Sequence, residues 1–510
     1  MRPHGSVALT TTSGSAPSLL INIYKSIINF LISSFISEGS RAITNMDRVN
    51  KAVEEACRCL KLSDDQLKKV MQALKTGMEQ GLKKGTPPGV GLKMIPSYVR
   101  ATPNGTETGD FLALDLGGTN FRVLLIRLKG SEAEMKGKIY EIPVSIQRGT
   151  GEKLFDHIAE CIALFTTEQF GSNKRKLPLG FTFSFPLKQD GLTRAKLIQW
   201  TKGFNASGCV GEDVVQLLRK ACKKRADIDI DVVAVLNDTV GTLMACAFKE
   251  NTCHIGVIVG TGTNACYLEK LEKVQKMKGE WENDGLPDEI IINMEWGGFG
   301  DDGAISFIYN EYDSVVDKLS INPGKQIFEK MISGMYMGEL VRIVVEGLAK
   351  KGVMFNGSTA GISKQGCFTT AHVSTVEAEA ATDGRANSYP KTREILRGIG
   401  INSISDDDCM HVAYICAAVS SRAAYLCAAA IAQVLNHIKR PFVTVGVDGS
   451  VYRFHPTFQH LLDQKISALV DNQIKYQLML SKDGSGVGAA VVAAVATRIH
   501  KSQSGTDEED

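Results

Sequence analysis

Two strand–turn–strand patterns with the same tip place the strongest constraint on the fold. Each has an apolar strand, a glycine-containing turn and a return strand, at 111–116, 117–120 and 121–128 in the first pattern and at 255–259, 260–264 and 265–268 in the second. Both turns end in Gly-Thr-Asn, and glycine turns between short apolar runs are typical of β-hairpins. The repeat predicts an internal duplication, in which two α/β halves face one another across a cleft.

Composition limits the class of protein. A chain of 510 residues exceeds one ordinary hydrophobic core, so two domains of roughly 200 to 250 residues are expected. Its 44% hydrophobic and 22% charged residues are ordinary globular values. The net charge is only +2 and the basic residues are scattered, which argues against a nucleic-acid-binding surface. Twelve cysteines without a Cys-x-x-Cys pair indicate free thiols in a reducing compartment.

The amino-terminal extension, residues 1–46, differs from the rest of the chain. It has no acidic residue before Glu38, and the stretch from Leu19 to Ile36 is apolar with polar residues at helical spacing. Such a helix lies on a membrane or serves in organelle targeting more readily than it spans a bilayer. The corresponding expectation is a cytoplasmic protein that associates with a membrane, such as the mitochondrial outer surface, through residues 1–45. An unstructured extension, or a helix packed on the body, is the open alternative.

The remaining patterns divide the chain into a first half with leading helices, a second half and a disordered acidic tail, at 47–240, 241–500 and 501–510. Helical periodicity is found at 47–85, 323–348 and 411–438. The region 356–405 is weakly patterned, with a predicted loop at 382–390. Further glycine turns follow at 443–450 and 481–486, and the second of these opens a helix that runs to about residue 498.

A polar pair, Asn237 and Asp238, follows an apolar run at 232–236 that predicts a buried strand. Open α/β sheets place their ligand sites at the carboxyl ends of strands. Asp238 is therefore a candidate general base. The alternative is a turn, or the N-cap of a helix from Thr239 to Phe248.

The glycine turns suit phosphate binding, because backbone N–H groups can approach an anion where no Cβ stands in the way. Gly260-x-Gly262-x-x-Ala265 also fits a relaxed dinucleotide-binding fingerprint. That interpretation fails because a predicted strand follows, whereas the fingerprint requires a helix. The sequence contains neither a P-loop motif nor a protein-kinase catalytic loop.

Six segments resemble, in order, the motifs of the eukaryotic hexokinase family: Leu114 to Arg122, Gly180 to Pro186, Trp200 to Phe204, Asn237 to Thr242, Gly260 to Ala265 and Glu295 to Gly297. The resemblance runs from about residue 50 to the last predicted helix and is loose at 356–405. It implies an α/β fold of the duplicated two-lobe actin-like ATPase class, with a cleft between small and large domains. It also implies a single catalytic unit.

The resemblance implies an ATP-dependent kinase for the 6-hydroxyl of D-glucose, and of mannose and fructose. The products would be hexose 6-phosphate and ADP, in the first step of glycolysis. Asp238 matches the family's base, which takes the hydroxyl proton as the oxygen attacks the γ-phosphorus of ATP. Lys202 matches the residue beside the transferring phosphoryl group. The family's sugar-binding positions match Ser184, Thr201, Lys202, Asn237, Asp238, Asn264, Glu295 and Glu329.

The family's nucleotide-binding positions match residues of the glycine turns and two hydroxyls from the looser region: Asp115, Gly117, Gly118, Thr119, Asn120, Thr261, Gly262, Thr370, Ser374, Asp448, Gly449 and Ser450. Mg²⁺ is expected to accompany ATP. Asp115, at the end of its strand, could hold the ion through water, because Mg²⁺ keeps much of its hydration. Arg122 either belongs to this site or pairs with an acidic neighbour.

Three other classes compete with a hexose kinase. A catalytically silent hexokinase-like glucose sensor or scaffold can lose the base, whereas Asp238, Lys202 and Asp115 are all present here. Many bacterial-type sugar kinases carry a cysteine-rich zinc motif, which is missing here. Membership of the actin-like or chaperone ATPases would not explain the segments 184–186 and 200–202.

Overall fold

The computed structural model describes residues 49–85, 89–117, 120–130, 132–171, 175–200, 204–382, 389–481 and 484–504. The extension at 1–46 lies outside these residues, so its role in membrane association or targeting stays a prediction. All twelve cysteines lie in the described part and are free thiols, as predicted.

Groups of helices and groups of strands follow one another along the described chain. The helices are α1 Lys51–Cys57, α2 Asp64–Gly81, α3 Val144–Gln147, α4 Gly151–Phe170, α5 Val214–Lys223, α6 Asp238–Lys249, α7 Glu311–Leu319, α8 Ile327–Ile332, α9 Gly334–Lys350, α10 Thr370–Thr382, α11 Pro390–Gly398, α12 Asp406–Ile438, α13 Ser450–Phe454, α14 Phe458–Leu469 and α15 Gly484–Ser504. The strands are β1 Ile95–Pro96, β2 Thr108–Leu116, β3 Asn120–Lys129, β4 Glu132–Glu141, β5 Lys176–Phe183, β6 Leu187–Gly191, β7 Arg194–Leu197, β8 Asp229–Leu236, β9 Cys253–Val259, β10 Thr263–Lys270, β11 Glu289–Asn293, β12 Phe442–Asp448 and β13 Lys475–Leu480.

Two sheets of the same topology confirm the predicted duplication. The five-stranded sheet has the order β4-β3-β2-β5-β8, and the six-stranded sheet has the order β1-β11-β10-β9-β12-β13. In each, an antiparallel hairpin, β2–β3 or β9–β10, is extended by two strands parallel to its first strand. We call the part around the five-stranded sheet the small lobe and the part around the six-stranded sheet the large lobe.

The first two helices pack in the large lobe and the last helix packs on the small lobe. This arrangement corrects the predicted division of the chain at residue 240. The leading helices α1 and α2 pack against α12 and belong to the core of the large lobe. The last helix, α15, packs against β2, β5 and β8 of the small lobe. Each amphipathic or apolar helix must cover an apolar surface, but sequence position does not say which sheet provides it.

The two lobes share a third core built on α6 and α15. Apolar residues of both sheets, including Phe111 and Ile291, join it. The helices approach closely because both carry glycine at the contact, and a Cβ on Gly488 would overlap the backbone of Gly241. The helix that begins at the predicted base is thus held directly between the lobes.

Three weaker predictions from the sequence need correction. The weakly patterned region 356–405 contains two helices, α10 and α11. The long helical pattern at 323–348 is broken into α8 and α9 at Ser333, whose extended backbone has a ψ of 156°. The predicted disordered tail begins too early, because α15 continues to Ser504; residues 505–510 lie outside the described part. Local pattern was insufficient here because helix ends depend on tertiary packing.

Helix α12 runs through the centre of the large lobe. Among the described residues it is the one helix that is long and apolar enough to cross a membrane, yet 83% of its most apolar stretch is buried inside the protein. Its Arg422 forms two parallel bonds with Asp313 of α7, from Nη1 to Oδ1 at 2.8 Å and from Nη2 to Oδ2 at 2.6 Å. Both side chains are almost wholly buried. The composition of α12 therefore reflects burial in a core.

His254 of β9 predicts loss of stability in acid. Burial, with a contribution from nearby Arg440, lowers the pKa of this imidazole from 6.5 to about 4. The unfolded chain therefore takes up the proton near pH 6.5 and the folded chain only near pH 4, so the free energy of unfolding should fall by at most about 3 kcal/mol across that interval.

Urea titrations at several pH values between 7 and 4 would measure this dependence. His254→Gln should flatten it, whereas His460→Gln, at an exposed position, should not. An unchanged pH profile in His254→Gln would contradict the assignment.

Candidate active site

The carboxyl ends of three parallel strands meet at one edge of the small lobe. Leu116 of β2 lies opposite Phe183 of β5, and Thr182 lies opposite Leu236 of β8. The residues that follow these ends, Gly117, Ser184 and Asn237, therefore share one edge. The Ser184 backbone N–H donates to Leu116 O at 3.0 Å, which ties the first two ends together. Ser184 and Asn237, two residues of the predicted sugar site, thus lie at the same edge.

Asn237 and Asp238 join the strand β8 to the helix α6. Asn237 is the N-cap, and its Oδ1 accepts from Thr239 N at 2.9 Å and from Thr239 Oγ1 at 2.7 Å. The capping alternative considered for this pair is therefore confirmed for Asn237. Asp238 is the first residue of α6 and is half-buried. A helix N-terminus favours negative charge, which suits a carboxylate that acts as a base.

An amide and carboxylate network connects Asn237 to the large lobe. Asn264 Nδ2 donates to Asn237 Oδ1 at 3.3 Å, to Asn293 Oδ1 at 2.8 Å and to Glu295 Oε1 at 3.4 Å. Asn293 Nδ2 donates to the same Glu295 Oε1 at 2.9 Å. Asn237, Asn264 and Glu295 are half-buried. Asn293 is buried and bonds to two of them, Asn264 and Glu295. A cluster of amides and carboxylates of this kind suits a ligand rich in hydroxyl groups.

Glu329 contacts the glycine turn at residues 260–262, which we call the first phosphate-type turn of the large lobe. Its Oε2 accepts from Thr263 N at 3.0 Å. A Cβ on the neighbouring Gly262 would lie 2.6 Å from the same oxygen. Two predicted sugar-binding carboxylates, Glu295 and Glu329, thus both bond to the start of β10, through Asn264 and Thr263.

The second phosphate-type turn lies beside the first at the edge of the six-stranded sheet. Asp448 of β12 lies opposite Ile258 of β9, so the turns at 260–262 and 448–450 are neighbours. Asp448 accepts from Gly449 N at 2.7 Å, from Arg453 Nη2 at 3.0 Å and from Gly484 N at 3.2 Å. Thr261 is exposed, Gly449 is half-buried, and Ser450 is exposed at the start of α13. The structure brings these predicted nucleotide-binding residues together.

Gly449 is expected to be indispensable to this turn. It has a φ of 114°, and a Cβ would overlap the backbone of Val259 and Gly260. Gly449→Ala should therefore lower stability by about 1–3 kcal/mol. Chemical denaturation would measure the effect.

Gly347→Ala is the matched control, because Gly347 lies within α9 with open space around it. This substitution should instead raise stability by about 0.5–1 kcal/mol. Equal behaviour of the two variants would contradict the proposed constraint at Gly449.

Asp115 and Arg122 pair across the hairpin of the small lobe. Arg122 Nη2 donates to Asp115 Oδ2 at 2.7 Å, and Ser485 Oγ donates to the same oxygen at 2.7 Å. The alternative considered for Arg122, pairing with an acidic neighbour, is thus confirmed. Both bonds use the same oxygen, Oδ2. Because Ser485 lies at the start of α15, this helix helps to hold Asp115 in place.

Thr370 and Ser374 lie on α10, beside the start of α9. Thr370 Oγ1 donates to Gly334 O at 2.5 Å and accepts from Gly338 N at 3.2 Å. Ser374 Oγ donates to Thr370 O at 3.1 Å. The start of α9 also supports the first phosphate-type turn, because Gly334 N donates to Gly260 O at 2.8 Å and Met335 N donates to Thr261 O at 3.1 Å. In this structure the Thr370 hydroxyl therefore bonds to α9, and the Ser374 hydroxyl bonds to α10.

Some predicted site residues fall outside the described part of the chain: Gly118, Thr119, Thr201 and Lys202. Asn120 is described by its backbone, which begins β3. Sequence reasoning missed Asn293 and Ser485. Asn293 had a detectable signal, since it ends an apolar strand two residues before Glu295. Ser485 had none, because its partner is 370 residues away.

A cavity of about 540 Å³ lies elsewhere in the large lobe, between α10, α12 and residues 60–62 after α1. None of the predicted site residues lines it. Within the described ranges, no group of three or more His, Cys, Asp or Glu side chains could hold a metal ion. The polar network and the glycine turns are therefore the candidate site.

Comparison with known proteins agrees with the fold. Two family models, both described as hexokinase, match residues 52–248 and 254–495. Hexokinase-1 of Homo sapiens is 45% identical over 487 residues, which are 92% of this chain and 52% of the relative. Hexokinase-2 of Homo sapiens is 46% identical over 462 residues, 89% of this chain and 49% of the relative. The chain thus spans about half the length of the curated relatives it matches.

A solved structure extends this similarity to the whole fold. The hexokinase of Schistosoma mansoni complexed with glucose is 40% identical, with a TM-score of 0.78, and the match covers 87% of this chain and 98% of that chain. Fold and site define a protein of the duplicated, two-lobe actin-like ATPase class. Within that class, the chain belongs to the hexokinase family.

Proposed function

We propose that the protein transfers the γ-phosphoryl group of ATP to the 6-hydroxyl of D-glucose and related hexoses, including mannose and fructose. The products are hexose 6-phosphate and ADP, in the first step of glycolysis. The observation that carries this proposal is the network from Asn237, beside Asp238, through Asn264 to Glu295. It lies next to glycine turns suited to phosphate and provides many hydrogen-bonding groups for a polyhydroxylated ligand.

In the proposed reaction, the sugar's 6-hydroxyl oxygen forms a bond to the γ-phosphorus of ATP. The bond from that phosphorus to the oxygen bridging to the β-phosphorus breaks, and ADP leaves with the bond's electron pair. Asp238 accepts the hydroxyl proton, which contributes typically 10²–10⁴-fold. Because Asp238 begins the helix held between the lobes, its backbone has a defined position relative to both sheets.

Mg²⁺ is proposed as the ion that accompanies ATP. Asp115 fits a role through water, because its Oδ2 already accepts from Arg122 and Ser485. Asp448 is similarly engaged by Arg453 and by backbone N–H groups. These carboxylates therefore suit an ion that keeps most of its hydration. When bound, the ion would neutralise charge on the β- and γ-phosphates.

Initial-rate ADP release with MgATP and a panel of hexoses tests the proposal. Glucose-dependent turnover, with hexose 6-phosphate identified by phosphorus NMR, would support it. Binding of glucose by calorimetry without ADP formation above background would overturn it in favour of the sensor or scaffold class. Rates with mannose and fructose would set the substrate range.

A further inference from the structure

We propose that Asn293 is a positioning residue that sets the Glu295 carboxylate and the Asn264 amide for sugar binding, and so controls sugar affinity. This inference rests on the proposed function of the same site. Asn293 is only 7% exposed, so it acts through its neighbours. The case depends on how its backbone is held, on what its amide bonds to, and on the conformation of Glu295.

The backbone of Asn293 is fixed from both sides. It is the last residue of β11, where it lies opposite Cys266 of β10 and opposite Ile95 of β1. The next residue, Met294, donates its N–H to Ala265 O at 2.9 Å and accepts from Met94 N at 3.2 Å. The side chain therefore leaves a paired strand end in one defined direction.

The side-chain amide of Asn293 uses both of its ends. Its Oδ1 accepts from Asn264 Nδ2 at 2.8 Å and from Glu295 N at 3.3 Å. Its Nδ2 donates to Glu295 Oε1 at 2.9 Å. A planar group with an acceptor on one side and a donor on the other is required, and an amide of this length supplies it. Aspartate keeps the shape and the acceptors but loses the donor.

Glu295 needs this support because its backbone is unfavourable. It has a φ of 54°, in the left-handed region that non-glycine residues rarely adopt. The bond from Glu295 N to Asn293 Oδ1 joins residues two apart and closes a turn of the Asx type. The bond from Asn293 to Oε1 then orients the carboxylate. The other oxygen, Oε2, forms an ion pair with Lys93 Nζ at 3.7 Å.

Asn293→Asp tests the inference with the smallest change of shape. It replaces the donor to Glu295 Oε1 with a second carboxylate, so the two groups repel each other. The KM for glucose should rise about 10- to 100-fold, as expected for one lost charge-assisted hydrogen bond. The KM for MgATP should change less than about 2-fold, and kcat should fall less than the KM for glucose rises.

A double-mutant cycle with Glu295→Gln separates positioning from general damage. If Asn293 acts through Glu295, the effect of Asn293→Asp on glucose binding should be several-fold smaller in the Glu295→Gln background. Asn356→Asp, at a surface asparagine bonded to Ser403, is the matched control and should leave every parameter unchanged.

A glucose KM within about 2-fold of the native value in folded Asn293→Asp would overturn the inference. If Asn293→Asp does not fold, Asn293→Ser carries the same expectation, because serine is too short to bridge Asn264 and Glu295. Calorimetric titration with glucose reports on Asn293 even if the native protein forms no ADP. Failure of the inference and failure of the proposed function are therefore distinguishable.

Discussion

Replacing Asp238 with asparagine is expected to lower kcat for glucose by about 10²–10⁴-fold while the KM for glucose changes by only a few-fold. The amide has the same shape but cannot accept the proton of the attacking hydroxyl. The helix start should survive, because the cap bonds of α6 come from Asn237. Initial-rate ADP release over a range of glucose concentrations measures both parameters.

Asp229→Asn is the matched control for this experiment. Asp229 is an exposed carboxylate at the other end of the same strand, β8. Its replacement should leave kcat and KM unchanged, which would show that loss of a negative charge elsewhere on the same strand is not enough. Turnover by Asp238→Asn at the native rate would rule out this residue as the base.

Replacing Arg422 with methionine is expected to lower the free energy of unfolding by about 3–5 kcal/mol. The substitution leaves Asp313 charged and without its main partner in the centre of the large lobe, where both side chains are almost wholly buried. It should also loosen the contact between α7 and α12. Urea denaturation followed by circular dichroism measures the loss.

Two further variants give this prediction its controls. Arg422→Met combined with Asp313→Leu removes both charges and should recover most of the loss. Recovery should fall short by about 1 kcal/mol, because Asp313 also accepts from Asn310 N in the capping box of α7. Lys129→Met breaks an exposed pair with Glu134 and should have little effect. Equal losses in Arg422→Met and Lys129→Met would contradict the buried-pair argument.

Much of the candidate site could be predicted from the sequence because its signals are local. The hairpins at 108–129 and 253–270 form where apolar runs flank glycine turns. The polar pair Asn237 and Asp238 stands at a strand end because the apolar run stops there. The contribution of each site residue to sugar binding, nucleotide binding or catalysis stays a prediction from resemblance to the family.

The contacts between distant segments could not be predicted in the same way. Asn237, Asn264 and Glu295 are joined across separate strands, and Asn293 enters this network without any motif of its own. Arg122 forms the ion pair with an acidic neighbour, Asp115, that the sequence left open as an alternative. Asp115 also accepts a hydrogen bond from Ser485, near the far end of the chain. Packing of α15 on the small lobe creates that last contact.

The sequence alone determined the α/β class, the duplication and the strand ends that bear the polar residues, because hydrophobic periodicity and turn chemistry act over a few residues. Only the tertiary structure decided that α1 and α2 join the large lobe and α15 the small lobe. It also decided how Asn293 orients Glu295. Those outcomes depend on contacts of apolar faces and amide groups with residues far along the chain. A local sequence pattern does not specify which residues form these contacts.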